Sequence, residues 1–281
     1  MTSSIELRHV TQEFVVRPTK DQPRASVLRA LEDISLTVPA GEFLTLVGPS
    51  GSGKTTLLDL LGGLSTPTSG EVLVDGEVVT GPGLDRGVVF QQYALFPWRT
   101  ALANVAFGLE QLPLSRRERT ERAREYLALV GLSGFEERLP HELSGGMKQR
   151  VAIARSLAYE PGILLMDEPF AALDAQTREQ LQDELLRIWR TTGTTAVFIT
   201  HGIEEAVYLG QRVAILSSRP GRLKQVVDID LGERAGARDL RSDPDFVGYR
   251  HQIWSLLHDE VERAQRAGHH KIQPDGTERA A

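Results

Sequence analysis

At 281 residues, 41% hydrophobic and 25% charged, the chain is long enough to bury one large α/β core, or one core with a smaller attached lobe. A net charge of −6 with no clustered Lys/Arg stripe argues against a nucleic-acid partner, zero cysteines exclude disulfides and thiolate metal sites, and the seven histidines include no pair at zinc-ligand spacing. No run approaches the roughly 18 uninterrupted apolar residues of a membrane-spanning helix, and Met1 to Val10 lacks the layout of an export signal, so the chain is expected to stay in the cytoplasm and to serve any membrane from one side.

In chain order, Ile5 to Val10 and Ile34 to Val38 read as strands, with Arg17 to Ser26 between them as an exposed loop. Val72 to Val79 reads as a hairpin turning at Asp75-Gly76, a pair that tolerates positive φ at both turn positions. A small antiparallel sheet near the N-terminus follows. Phe43 to Val47, Val88 to Phe90, Ile163 to Asp167, Thr195 to Thr200 and Val213 to Leu216 are short apolar or β-branched runs of the kind buried on both faces of a parallel sheet.

Residues 93–160 interrupt those runs with helical patterning. Arg116 to Val130 is charged on one side and carries Ala123, Leu127 and Val130 on the other, which predicts an inserted helical lobe. Past Leu231 the chain turns polar, then Phe246, Tyr249, Ile253, Leu256 and Leu257 recur at helical spacing before a polar tail from Gly268. The expected division is a main domain over 1–232, with the lobe inserted, and a C-terminal helix with a disordered end over 233–281.

Gly48-Pro49-Ser50-Gly51-Ser52-Gly53-Lys54-Thr55 fits G-x-x-x-x-G-K-[ST] and lies between a predicted strand and the helix-like run Thr56 to Leu61. The glycines let successive N–H groups point inward, and the helix start adds roughly half a positive charge, so the segment through Thr56 is expected to cradle the phosphates of a nucleotide triphosphate. Lys54 can reach the β- and γ-phosphates and the Thr55 hydroxyl can sit on Mg²⁺. In Ile163-Leu164-Leu165-Met166-Asp167-Glu168 an apolar strand ends in two acids, one able to position the metal and the other to orient or deprotonate water.

Leu143-Ser144-Gly145-Gly146-Met147-Lys148-Gln149-Arg150 precedes a helical run and offers a second anion grip, since Ser144 caps and Gly145 and Gly146 expose N–H groups. Together with the Gly48 motif it resembles the signature of ATP-binding-cassette ATPases, a likeness running from Ile5 to about Leu257. The resemblance implies an α/β P-loop NTPase core with a mixed sheet, an N-terminal antiparallel β subdomain and an inserted α-helical subdomain. It further implies that Gln91 reaches Mg²⁺ or the attacking water, that Asp174 of Ala171-Ala172-Leu173-Asp174 belongs to a loop crossing to a partner, and that His201 contacts the γ-phosphate. Phe14 falls where the family puts an aromatic against adenine.

Family members set the signature of one subunit over the phosphates of the other, so the resemblance implies a homodimer with two shared ATP sites. Glu168 would activate water there, with Asp167, Thr55 and Gln91 around the metal. The closest likeness is to importer ATPases for taurine, other sulfonates and nitrate. The runs Gly81 to Gln91, Pro97-Trp98-Arg99 with Asn104 to Leu109, and Ser217 to Arg222 before Arg241 to Pro244 favour the taurine branch. That places the chain on the cytoplasmic face of a membrane beneath transmembrane permease subunits, and indirectly a solute-binding protein, with Leu95 to Trp98 as the coupling surface. Gly202 stands where the family usually has Asp, and Leu209-Gly210 where Ala-Asp is common. A soluble, non-transport cassette ATPase is the different-class alternative.

Overall fold

The computed structural model describes residues 2–18, 25–232 and 240–269, with side chains through residue 260. The chain opens with a long hairpin, β1 (Ile5–Val16) and β2 (Ser26–Val38), then passes through β3 (Phe43–Val47) into α1 (Lys54–Leu61). A short hairpin, β4 (Ser69–Val74) and β5 (Glu77–Val78), precedes β6 (Arg86–Val89). Three helices, α2 (Ala101–Gly108), α3 (Arg116–Leu129) and α4 (Gly145–Leu157), make the inserted lobe. The chain then runs through β7 (Ile163–Asp167), α5 (Ala175–Thr192), β8 (Thr195–Ile199), α6 (Ile203–Leu209), β9 (Arg212–Leu216) and β10 (Leu223–Asp228) to α7 (Pro244–His269).

Two sheets result. The antiparallel one has the order β2-β1-β4-β5, and the central one has the order β10-β9-β3-β8-β7-β6. Within the central sheet β9, β3, β8, β7 and β6 are parallel and only β10 runs antiparallel, so it is mixed. Every residue of β3, β7 and β8 is buried, as the continuous apolar runs require. Alternate residues serve opposite layers: Phe43, Met166 and Phe198 pack against the helical side, whereas Leu44, Leu165 and Val197 pack towards α1 and the antiparallel sheet. Truncating Phe198, which touches Phe43 and Phe170 and is fully buried, would cost about 3–5 kcal/mol.

The lobe holds together by its own local chemistry. Ser115 and Glu118 form a reciprocal capping box at the start of α3, whose Ala123 and Leu127 are buried. Arg150 ties the lobe to the core, donating to Val130 O at 3.0 Å and pairing with Glu184 at 2.9 Å.

Several boundaries differ from the sequence reading. β1 continues past Val10 to meet the expected loop at Val16, and β2 starts at Ser26, eight residues before the expected Ile34 and at the loop's last position; residues 19–24 of the loop lie outside the described residues. The pairing of β1 with β2 slips in register between Leu7 and Val10 and again up to Glu13, and His9 and Asp33 have positive φ, which breaks the two-residue alternation. β6 begins at Arg86, two residues before the expected start, and ends at Val89. The C-terminal helix docks as expected through Phe246 and Ile253, both fully buried, but it starts at Pro244 and runs to His269; the expected disordered end, 270–281, lies outside the described residues.

Candidate functional site

Four parallel strands discharge at the same edge of the central sheet: β3 into the Gly48 loop, β6 towards Gln91, β7 into Asp167-Glu168, and β8 into Thr200-His201. The Gly48 loop then curls into α1. Gly51 and Gly53 sit at φ 75° and 89°, and a Cβ on Gly53 would come within 2.6 Å of Leu31 Cδ2 and 3.0 Å of Ala30 O, so no other residue fits there without displacement. Ser52, fully buried, donates its N–H to Pro49 O at 3.2 Å.

Lys54 folds back along this loop, its Nζ donating to Gly48 O at 2.9 Å and Pro49 O at 3.0 Å. Burial lowers its pKa, while the nearby Glu168 and Asp167 carboxylates work the other way. The ammonium therefore sits between the helix N-terminus and two acids, where a polyanion could replace the carbonyl contacts.

Asp167 closes β7. Its Oδ2 accepts from Thr55 Oγ1 at 3.0 Å, and its Oδ1 is buried with no protein partner. Burial raises its pKa, opposed by the Thr55 hydrogen bond, Lys54 and His201. Glu168, the next residue, adopts φ 45°, a left-handed conformation that costs a non-glycine residue about 1–3 kcal/mol. It is held there at several points: its N–H donates to Ile199 O at 3.0 Å, its Oε1 lies 2.5 Å from His201 Nε2, and its Oε2 accepts from Gln91 Nε2 at 3.4 Å. The backbone turn points Asp167 at Thr55 and Glu168 at His201.

These groups open onto a cleft of about 310 Å³ whose lining includes Phe14, Ser50, Gly51, Gly53, Lys54 and Thr55, with Thr56, Glu168 and His201. Phe14 is 43% exposed on β1 and pairs with Leu28 on β2, which places a ring face at the rim. Gln91 meets the cleft only through Glu168. Arg219 also lines it, donating Nε to Gly51 O at 3.2 Å, and was not among the expected site residues. Its signal was weak, because a lone Arg far along the chain from the Gly48 motif shows no spacing to it.

Ser144, Gly145, Gly146 and Asp174 do not line this cleft. Ser144 caps α4, accepting from Met147 N at 3.3 Å, and is exposed. Asp174 caps α5, accepting from Thr177 N at 3.0 Å, a bond that lowers its pKa. A Cβ on Gly145 would lie 3.2 Å from Leu173 Cδ2, and one on Gly146 would lie 2.8 Å from Thr177 Cγ2. Thus the two helix starts abut, with Ser144 and Asp174 exposed and Gly146 buried between them, apart from the Gly48 cleft.

The ABC transporter family matches residues 31–171. The chain belongs to the ABC transporter family. An uncharacterised ABC transporter ATP-binding protein of Methanocaldococcus jannaschii is 58% identical over 83% of this chain and 86% of its own length. The nitrate import ATP-binding protein of Synechocystis is 52% identical over 83% of this chain and 90% of its own. The taurine import ATP-binding protein of Pseudomonas syringae is 52% identical, with coverages of 85% and 91%. Among solved structures, a dimeric ATP-binding cassette in a post-hydrolysis state with ADP and Pi superposes with a TM-score of 0.68 at 35% identity, covering 80% of this chain and 99% of that one. This chain is accordingly an ATPase with the α/β cassette fold.

Proposed function

We propose that this ATPase works as a homodimer under transmembrane permease subunits, energising uptake of a small anionic solute, with taurine as the leading candidate and other aliphatic sulfonates or nitrate as alternatives. The observation that carries the catalytic part is the convergence of Lys54, Thr55, Glu168 and His201 on one cleft, with Asp167 bonded to Thr55 behind it. ATP lies with its phosphates along the Gly48–Thr56 backbone, Lys54 leaving its two carbonyl acceptors for the β- and γ-phosphate oxygens. Phe14 stacks against adenine at the rim.

The residues fit Mg²⁺: Thr55 Oγ1 and Asp167 are hard oxygen donors, and the buried Oδ1 of Asp167 has no protein partner to lose. When bound, the ion neutralises phosphate charge; Thr55, Asp167 and Gln91 would hold it. Glu168 takes the proton of the attacking water on a carboxylate oxygen, Gln91 orients that carboxylate, and His201 Nε2 donates towards the γ-phosphate.

The partner role rests on the exposed Ser144 and the partly exposed Gly145 at the start of α4, beside the Ala171–Asp174 loop, which supports a grip on ATP held by a second copy. A dimeric neighbour and relatives named for nitrate and taurine import support the assembly and the solute class. The coupling surface is supported by Trp98, which is 72% exposed and tilted against Phe96 at 51°, itself packed edge-on to Phe107. Arg99 covers both phenyl rings at about 5 Å, leaving the indole outermost for a permease helix. The position is then peripheral, at the cytoplasmic face, and among the described residues no helix is long and apolar enough to cross a membrane.

The test is reconstitution of the chain with its permease in vesicles. ATP-dependent uptake of taurine ahead of other sulfonates and nitrate is the expected result. Uptake of nitrate alone would reassign the solute, and capture of ribosomes or DNA without any permease would replace transport by the soluble alternative.

A further inference from the structure

Behind His201 a chain of hydrogen bonds leads away from the cleft. Thr200, almost fully buried, accepts the Gly202 N–H on its Oγ1 at 2.9 Å and donates the hydroxyl to Glu205 Oε2. Glu205 Oε1 accepts from Gln182 Nε2 at 2.9 Å, and the buried Gln182 Oε1 accepts from Arg241 at 2.8 Å. Arg241 belongs to the segment entering α7; its guanidinium lies 4.6 Å from the Tyr208 ring and 3.7 Å from Glu179.

The sequence makes this chain necessary. His201 is exposed and sits between Thr200 and Gly202, two residues of a tight turn. Gly202 has no side chain with which to fix the turn, where the family resemblance led one to expect Asp. A Cβ there would lie 3.3 Å from Glu205 Cβ, so Glu205 occupies the adjacent space. The restraint therefore comes from Thr200, whose hydroxyl is oriented by Glu205.

We propose that Glu205 is a positioning residue for His201, fixing the Thr200–Gly202 turn through the Thr200 hydroxyl and anchoring it through Gln182 to Arg241 of the C-terminal segment. Burial of the Glu205 carboxyl, whose pKa it raises, is offset by the Thr200 and Gln182 bonds and by Arg178, so both oxygens are committed inside the protein. The inference rests on the assignment of His201 to the γ-phosphate. His201→Ala tests that assignment separately: full turnover by this variant overturns the His201 role itself.

The measurement is steady-state Mg-ATP hydrolysis by the full chain, with active sites titrated by a tight-binding ATP analogue. In Glu205→Ala and in the near-isosteric Thr200→Val, kcat is expected to fall about tenfold or more with KM within about threefold, because a displaced catalytic group loses turnover before binding. The double variant should lose no more than the worse single, since both break one link. Glu205→Gln keeps an oxygen to accept from Thr200 but sets its amide N–H against the Gln182 Nε2 donor, so it should recover kcat only to the level of Arg241→Met, about two- to fivefold below wild type. If Glu205→Ala does not fold, Thr200→Val and Glu205→Gln still decide. Wild-type kcat per titrated site in Thr200→Val, losses that multiply in the double variant, or a loss confined to thermal stability would each overturn the proposal while a dead His201→Ala leaves the catalytic reading standing.

Discussion

The two regions proposed to grip phosphate are built from the same material, glycines and a hydroxyl at a helix start, yet they end in different surroundings. At Gly48–Thr55 the loop is enclosed: Lys54 and Ser52 are buried, Asp167 and Glu168 face it from β7, and His201 reaches it from β8. At Ser144–Gly146 the helix start is flanked by Leu173, Thr177 and Tyr93, with Ser144 exposed and Gly146 buried, and the cleft lined by Lys54, Glu168 and His201 lies apart from it. In the proposed dimer, each chain carries the chemistry of one site and part of the wall of another. A helix start set apart from that chemistry makes sense when the chemistry is brought by a second copy.

The largest expected effect removes the enclosed region's base. Glu168→Gln should lower kcat about 10²–10⁴-fold while leaving ATP binding within a few-fold, and light scattering with Mg-ATP should show accumulated dimer. Normal turnover would take Glu168 out of that role. The comparison itself breaks or survives on mixing two inactive variants. Lys54→Ala disables the enclosed region and Ser144→Arg the one at Ser144–Gly146, and each alone should be nearly inactive. Mixed, they should recover a measurable fraction of wild-type ATPase, because a heterodimer contains one site with both halves intact. No recovery, with heterodimers verified by a tag on one copy, would mean that the two regions do not meet across copies.

Smaller effects sharpen which surfaces belong to which task. Phe14→Ala should raise the KM for ATP about 2–10-fold with kcat little changed, the range set by aromatic stacking of about 0.5–1.5 kcal/mol; an unchanged KM would return Phe14 to a packing role. Trp98→Ala should leave the isolated subunit's ATPase within about twofold, as its ring lies on the surface, but abolish uptake in reconstituted vesicles. Equal loss of both activities would contradict the separation of the coupling surface from the cleft.

How legible these regions were follows from their burial. β3, β7 and β8 match the sequence reading to within a residue, because strands covered on both faces must be apolar throughout and announce themselves. The half-exposed pieces were less visible. β10, Leu-Lys-Gln-Val-Val-Asp at the sheet edge, was not expected at all, and the far ends of β1 and β2 were hidden by bulges at His9 and Asp33 that shift the alternation. In the site, motif residues were found because contiguous backbone makes the cradle. Arg219 and the Thr200–Glu205–Gln182–Arg241 chain were missed because they assemble from β8, α5, α6 and the C-terminal segment, and no spacing in the sequence records that meeting.

The smallest expected effect follows from a second contrast, between a carboxyl buried behind His201 and one exposed at the start of α5. Burial raises the pKa of Glu205 above its ordinary 4.5, whereas the helix-cap bond from Thr177 lowers that of the exposed Asp174 below 3.8. Linkage gives the two opposite signs. For Glu205 the folded state binds the proton more tightly than the unfolded one, so its contribution favours folding at low pH and declines as pH rises from 4.5 through its folded value. For Asp174 the contribution is present above 3.8 and is lost as pH falls through its folded value. Glu205→Gln should therefore flatten the decline of Tm on the rising-pH side, while Asp174→Asn, which can still cap α5 through its amide oxygen, should flatten the loss on the acid side. Calorimetric scans of both variants and the wild type across pH 3 to 8 would show the two slopes changing on opposite sides of about pH 4. Parallel curves for Glu205→Gln and wild type would mean that the carboxyl buried behind His201 is held no differently from the exposed one at the start of α5.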